Sequence, residues 1–123
     1  MKLTLVDENG MKFVEGVSDT PFLMNAQDIN RLIEACFSEG GSGTLLYAAN
    51  LPPTFFDLSS GDAGVILQKL RNYRIRLAVV APPGSVVFSS RFGELVADER
   101  RGGDFGLFAT RDAARDWLRQ HGV

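Results

Sequence analysis

Short apolar runs alternate with helical patterns along most of this 123-residue chain, and that alternation is the strongest constraint on its fold. The runs at residues 44–48, 76–81 and 105–109 are typical of buried strands, and each is followed by an amphipathic helical pattern. A predicted hairpin and one more helix precede them, which gives the order ββαβαβαβα. Strands separated by helices become parallel neighbours through right-handed crossovers. The sequence therefore predicts an α/β fold with a mostly parallel five-stranded sheet and helices packed on it.

Turn and cap residues mark the predicted ends of these elements. Asn9-Gly10 lies between two apolar runs, and this pair is the strongest short-range indication of a β-hairpin. Polar residues able to accept a hydrogen bond from the first helical turn precede three of the helices. The predicted caps are Asn25 for the first helix, Ser89 or Ser90 for the third and Thr110 for the last, which Gly122 ends.

The buried faces follow from helical spacing. The apolar faces are predicted to comprise Ile29, Leu32, Ile33, Cys36 and Phe37; Ala63, Ile66, Leu67, Leu70 and Tyr73; Phe92, Leu95 and Val96; and Ala113, Ala114, Trp117 and Leu118. From these faces and the strands we expect nine residues above all to be buried. They are Ile29, Ile33, Leu67, Leu70, Leu77, Val79, Phe92, Leu95 and Trp117.

Length, composition and charge limit the class of protein. The chain is 45% hydrophobic and 23% charged, as expected for one globular domain over residues 1–123. No apolar run approaches a membrane span, and the first residues do not resemble a signal peptide. The lone Cys36 favours a reducing, cytoplasmic location and a core thiol. The net charge of −2 argues against a nucleic-acid partner, whereas a homo-oligomer stays possible.

Residues 55–73 form the least generic segment. Ser59, Ser60 and Gly61 lie where a strand-to-helix connection becomes a helix, and Asp57 and Asp62 flank them. A hydroxyl at that place either caps the free N–H groups of the helix or is exposed for modification. Phe55 and Phe56 are expected to lie with one ring buried and one near the surface. Together with Gln68 and Asn72 they would line a possible ligand pocket.

No catalytic constellation is visible. His121, the single histidine, lies at the C-terminus, and Gly61-Asp62-Ala63-Gly64 lacks the lysine of a phosphate-binding loop. One histidine and one cysteine do not make a tetrahedral metal site. We therefore expect no enzyme activity, no metal and no cofactor.

The same segment resembles two families. Leu58-Ser59-Ser60-Gly61 followed by Asp62-Ala63-Gly64-Val65-Ile66-Leu67 resembles the serine motif and helix of the STAS domains of bacterial anti-sigma factor antagonists, with one extra residue before the helix. That resemblance implies a STAS-like fold, and Ser60 matches the serine that becomes phosphorylated. Nearly the whole chain resembles an uncharacterised bacterial domain family with the signature Phe-Phe-Asp-Leu-x-Thr/Ser-Gly-x-Ala-Gly-x-x-Leu-Gln-Lys-x-x-Asn-Tyr.

These observations lead to one functional hypothesis and one alternative. The hypothesis is a non-catalytic regulatory or scaffold domain that binds another protein through the loop at residues 57–64 and the helix after it. Its contact residues would be Asp57, Ser59, Ser60, Gly61 and Asp62. The alternative is a small-molecule or lipid-binding domain with its pocket near Phe55 and Phe56.

Overall fold

The computed structural model describes residues 3–8, 10–17, 21, 26–39 and 41–123. Its elements follow the predicted order, with three short 3₁₀ turns at residues 48–50, 53–56 and 58–60 before the second helix. The strands are β1 (Leu3–Glu8), β2 (Met11–Gly16), β3 (Gly43–Tyr47), β4 (Arg76–Val80) and β5 (Phe105–Phe108). The helices are α1 (Ala26–Glu39), α2 (Asp62–Asn72), α3 (Ser90–Gly102) and α4 (Arg111–Gln120).

The five strands form one sheet in the order β1-β2-β3-β4-β5. β1 and β2 are antiparallel, whereas the other neighbours are parallel. The predicted mostly parallel α/β fold is confirmed. The predicted hairpin is present, since Glu8 pairs with Met11 and Gly10 takes the positive φ of 84° that glycine tolerates. Asn9 lies outside the described residues.

Helices cover both faces of the sheet. Leu77 and Val79 of β4 belong to one apolar cluster with α1, α2 and Phe92 of α3, whereas Ala78 and Val80 belong to another with α4. This division follows from the alternation of side chains along a strand. Because the strand order follows the chain order, successive right-handed crossovers leave α1, α2 and α3 on one face. α4, which follows the last strand, covers the other.

The predicted core is largely confirmed. Eight of the nine residues expected to be buried are buried, and Leu95 is partly buried. Phe37 and Tyr73 were assigned to buried faces wrongly, since they are 60% and 49% exposed. Phe37 lies in the last turn of α1 and Tyr73 directly follows α2, and their rings contact each other edge-on at 5.6 Å. Ala113 is also exposed rather than buried, because it lies on the solvent side of α4.

Two of the predicted helix caps are confirmed. The Ser89 hydroxyl accepts a hydrogen bond from the Phe92 N–H, and the Thr110 hydroxyl accepts one from the Ala113 N–H, each at 3.2 Å. The Asn25 cap lies outside the described residues. Cys36 is fully buried and its Sγ lies 3.4 Å from the Thr44 hydroxyl. Burial raises the pKa of this thiol, as expected for a core residue.

Candidate functional site

The connection from β3 to α2 is longer than a simple turn and is built from the three 3₁₀ turns. Phe55 and Phe56 lie in the second turn, and both are buried, at 0% and 6% exposure. The expectation that one would lie near the surface is wrong, because it assumed an extended segment. A 3₁₀ turn has about three residues per revolution, so neighbouring side chains point about 120° apart and not to opposite sides as in an extended segment. Both rings therefore reach Phe92 of α3, at 5.9 and 5.8 Å.

An apolar groove of about 580 Å³ lies between this connection and the loop that joins β4 to α3. We call it the apolar groove and define it by Leu51, Pro53, Phe56, Val86 and Val87. Ser85 is the single polar residue among the described residues that line it. The carboxyl ends of parallel strands are where open α/β sheets bind ligands. The groove has that position, since both loops leave the carboxyl ends of their strands.

The apolar surface continues from Val87 of the groove onto the neighbouring Phe88. Val87 is 92% exposed and Phe88 is 42% exposed, although the Phe88 ring also contacts Phe92 at 5.3 Å. Contiguous exposed apolar surface beside a groove is typical of sites that bind a ligand or another protein.

The loop at residues 57–62 is held by its own hydrogen bonds. One Asp57 carboxylate oxygen accepts from the N–H of Ser59 at 3.1 Å and from its hydroxyl at 2.6 Å. The Ser60 hydroxyl donates to the Thr54 carbonyl at 2.6 Å and accepts from the Asp62 N–H at 3.2 Å. Thr54 also donates its hydroxyl proton to the Asp62 carboxylate. Because Thr54 follows Pro53 of the apolar groove, these bonds attach the loop to the groove wall.

Gly61 and Ser60 share the start of α2. Gly61 occupies the position before the helix with φ at 81°, a conformation that glycine adopts without strain. It has no side chain to cap the helix, and the Ser60 hydroxyl satisfies the Asp62 N–H instead. Ser60 is exposed, so the same hydroxyl is also accessible from solvent.

We expect Ser60→Ala to lower the free energy of unfolding by about 0.5–1 kcal/mol, because one free N–H of α2 loses its acceptor. Ser59→Ala is the matched control, since the exposed Ser59 hydroxyl donates to the Asp57 side chain and accepts no bond from the first turn of α2 within the described part of the chain. That control should change stability by less than about 0.5 kcal/mol. Urea denaturation measures both, and equal values for the two variants would contradict the capping role.

Gln68 and Asn72 do not face the apolar groove. They lie on the exposed side of α2, one turn apart, where the Gln68 side-chain amide donates to Asn72 at 2.9 Å. Neither belongs to the described lining of the groove, and Phe55 lies beneath it in the core. Of the predicted pocket residues, Phe56 alone is placed at the groove surface.

Asn50 is a positioning residue that sequence reasoning missed. It is fully buried. Its side-chain oxygen accepts from the Tyr47 N–H at 2.7 Å, and its amide nitrogen donates to the Val17 carbonyl at 2.6 Å. A Cβ on Gly16 would lie 2.5 Å from that oxygen, so a larger residue there would displace the Asn50 side chain. Asn50 thereby joins the end of β2 to the end of β3 at the base of the connection.

A second polar cluster lies on the α4 face of the sheet. Glu15 of β2 accepts two hydrogen bonds from Arg111 of α4, at 3.0 and 2.9 Å, and one from the Tyr47 hydroxyl at 2.5 Å. Burial alone would raise the pKa of Glu15, but the bonds from Arg111 and Tyr47 prevail and lower it. Burial and the Glu15 bond raise the pKa of Tyr47 to about 12. Glu15 lies on the same face of β2 as the apolar Met11 and Phe13, and this was the available indication in the sequence.

The segments that build these features lie within a recognised sequence family. A family model described as a domain of unknown function, DUF4180, matches residues 8–118. The chain belongs to this family. No curated protein and no solved structure matches the chain. The apolar groove, the loop at residues 57–62 and the Glu15 cluster all fall within the DUF4180 match. An uncharacterised family was predicted from residues 55–73, and the match agrees with that prediction, whereas the STAS resemblance and the signature itself remain predictions.

The DUF4180 domain keeps its histidine away from the loop. His121 contacts Trp117 of α4 at 4.9 Å between ring centroids, on the face opposite α2.

Within the described ranges, no group of three His, Cys, Asp or Glu side chains could hold a metal ion. Nor is any helix in the described part of the chain long and apolar enough to span a bilayer. The hydroxyls of Ser59 and Ser60 bond to Asp57 and to main-chain groups.

The Glu15 cluster predicts a pH-dependent stability. The pKa of Glu15 is lowered in the folded state, so its contribution is present above the unfolded pKa of about 4.3 and disappears as the pH falls through the folded value. At neutral pH Glu15→Gln should cost about 1.5–3 kcal/mol, because charged hydrogen bonds to Arg111 are weakened. Urea denaturation between about pH 7 and pH 3 should show this difference shrinking with acidity.

Glu34→Gln is the control for this pH series, because Glu34 is exposed on α1. Its effect should stay below about 0.5 kcal/mol at every pH. A Glu15→Gln penalty that did not change with pH would show that the ionised pair is not its source.

Proposed function

We propose that this DUF4180 domain is a non-catalytic binding module that holds another protein at the apolar groove, with the loop at residues 57–62 as its rim. The observation that carries the proposal is the continuity of apolar surface from the groove onto exposed Val87 and Phe88. A small molecule inside the groove would leave Phe88, which lies outside the groove lining, in water. A protein segment would cover the groove and both side chains, and burial of that apolar area would drive association.

The chemistry of the loop supports binding rather than catalysis. Its serine hydroxyls contact Asp57 and main-chain groups, and the single histidine lies on the other face of the sheet. Nucleophilic catalysis needs a base within hydrogen-bond reach of the attacking hydroxyl. The single cysteine, buried in the core, fits a reducing, cytoplasmic location.

A regulatory role is the finer part of this proposal, and it rests on Ser60. The resemblance of residues 58–67 to STAS domains supports a modifiable serine here. A phosphate on Ser60 would replace the hydroxyl that bonds Thr54 and would meet the negative charges of Asp57 and Asp62. We expect Ser60→Asp to leave the melting temperature within a few degrees of wild type and to change the affinity for the partner, because it adds a negative charge to the rim of the groove. Equal binding by both proteins would argue against regulation through this serine.

Site-specific photo-crosslinking in cells tests the binding proposal. A photo-crosslinking amino acid replaces Val87 in one version of the domain and Phe37 in another. Both side chains are exposed, but Phe37 lies near the end of α1, which leads to the amino end of β3, whereas Val87 follows the carboxyl end of β4. We expect a specific crosslinked protein from position 87 and none of that mass from position 37. The protein is then identified, purified and tested with wild type and Val87→Asp.

A Kd weakened by at least about tenfold in Val87→Asp would support the groove as the interface, since a charge would be buried against apolar surface. Equal affinity, or equal crosslinking from the two positions, would refute it. The groove volume also favours a second candidate, because about 580 Å³ lies within the range of small-molecule pockets. Binding of the neutral dye Nile red, abolished by Val87→Asp without a protein crosslink, would favour that candidate.

A further inference from the structure

The apolar groove and its rim differ sharply in charge. No described residue that lines the groove is charged. A charged group that entered it would lose its hydration without gaining a partner, which is strongly unfavourable. The part of a partner that enters the groove must therefore be apolar and uncharged.

The rim carries negative charge that the domain itself leaves unneutralised. Asp57 follows Phe56 of the groove, and Asp62 is bound by Thr54, the neighbour of Pro53. In the part of the chain that the structure describes, neither carboxylate forms an ion pair with a lysine or arginine. By contrast, carboxylates on α3 and α4 such as Glu99 and Asp116 have arginine partners.

These two carboxylates are also held in place. Asp57 uses one oxygen to accept both bonds from Ser59, and Asp62 uses one oxygen to accept from Thr54. The positions of the negative charges are thus fixed relative to the groove before any partner arrives. Charges arranged in this way select a partner of opposite sign and exclude one of the same sign.

We infer that the occupant of the apolar groove is a protein segment in which an apolar side chain is flanked by lysine or arginine. The apolar side chain enters the groove against Phe56 and Val87, and the basic residues lie over Asp57 and Asp62. This inference rests on the proposed function and names the chemistry of its partner. An anionic lipid surface would be repelled by the same carboxylates and does not fit.

A display library of random peptides, selected on the folded full-length domain, tests the inference. Peptides that bind wild type but not Val87→Asp are synthesised, and their Kd is measured by fluorescence polarisation. We expect these peptides to share an apolar residue with lysine or arginine beside it. Raising the salt concentration should weaken their binding, because exposed ion pairs are screened.

Asp57→Asn and Asp62→Asn remove the charges while leaving an oxygen to accept the bonds from Ser59 and Thr54. Each substitution should raise the Kd of the basic peptides by about two- to fivefold, which is the range expected for the loss of one exposed ion pair. Asp112→Asn is the matched control, because Asp112 lies in the first turn of α4 on the other face. It should leave the affinity unchanged, and thermal melts confirm that all variants fold.

The outcomes separate the two proposals. Peptides that depend on Val87 but lack basic residues, or that bind both asparagine variants as tightly as wild type, would overturn the charge inference and leave the groove as a binding site. If selection gives no peptide that depends on Val87, the groove is not a site for protein segments. Both proposals then fail.

Discussion

Replacing Phe55 with alanine should lower the free energy of unfolding by about 3–5 kcal/mol, the range for large truncations of buried aromatic residues. Phe55 is fully buried, and its ring contacts those of Phe56, Phe92 and Phe105 at 5.3–5.9 Å. It therefore connects the β3–α2 connection, α3 and β5. Truncation would leave a cavity at this junction and also remove the edge-to-face contacts. Urea denaturation of the purified domain measures the loss.

Phe37→Ala is the control for this substitution. It removes the same number of atoms from a ring that is 60% exposed, so its cost should stay below about 1 kcal/mol. Phe55→Leu fills part of the cavity and should recover a substantial fraction of the loss. Equal stability of Phe55→Ala and Phe37→Ala would contradict the packing of the β3–α2 connection against α3 and β5.

Replacing Asn50 with alanine should cost about 2–4 kcal/mol. The substitution removes the acceptor of the Tyr47 N–H and the donor to the Val17 carbonyl. A buried polar group left without its partner costs about 1–3 kcal/mol, and two groups are affected. Because Asn50 precedes Leu51 of the apolar groove, this variant should also weaken peptide binding at the groove. Urea denaturation and the peptide Kd provide the two measurements.

Asn72→Ala is the matched control, since Asn72 bonds Gln68 on the exposed side of α2. This substitution should lower the free energy of unfolding by less than about 0.5 kcal/mol. Asn50→Asp gives an independent test through pH. It keeps the acceptor for Tyr47 but turns a carboxylate oxygen toward the Val17 carbonyl. Repulsion favours the protonated acid in the folded state, so this variant should regain stability relative to wild type as the pH falls. A penalty that stayed constant with pH would contradict the contact with Val17.

The binding proposals depend on these two residues through geometry. Phe55 supports the second 3₁₀ turn from below, and Asn50 ties the first turn to β2 and β3. The apolar groove and the loop at residues 57–62 are therefore supported by closely packed, buried side chains. A pre-formed surface loses less conformational freedom on binding than a mobile loop does.

The sequence by itself determined the order of the elements, the hairpin, the caps at Ser89 and Thr110 and most of the core. Each of these depends on residues within a few positions of one another, because hydrophobic periodicity and capping are local properties. The family relationship was also visible in residues 55–73. The errors at Phe37 and Tyr73 came near helix ends, where the periodic pattern continues but the two rings contact each other and stay exposed.

Only the tertiary structure decided which distant residues meet. The apolar groove joins Phe56 to Val86 and Val87, and the Glu15 cluster joins β2 to Arg111 of α4, across 96 positions of the chain. Such contacts depend on strand order and on the path of each connection, which no local pattern encodes. The burial of both Phe55 and Phe56 has the same origin. A 3₁₀ turn replaced the extended segment because α3 and β5 provide a hydrophobic surface for both rings.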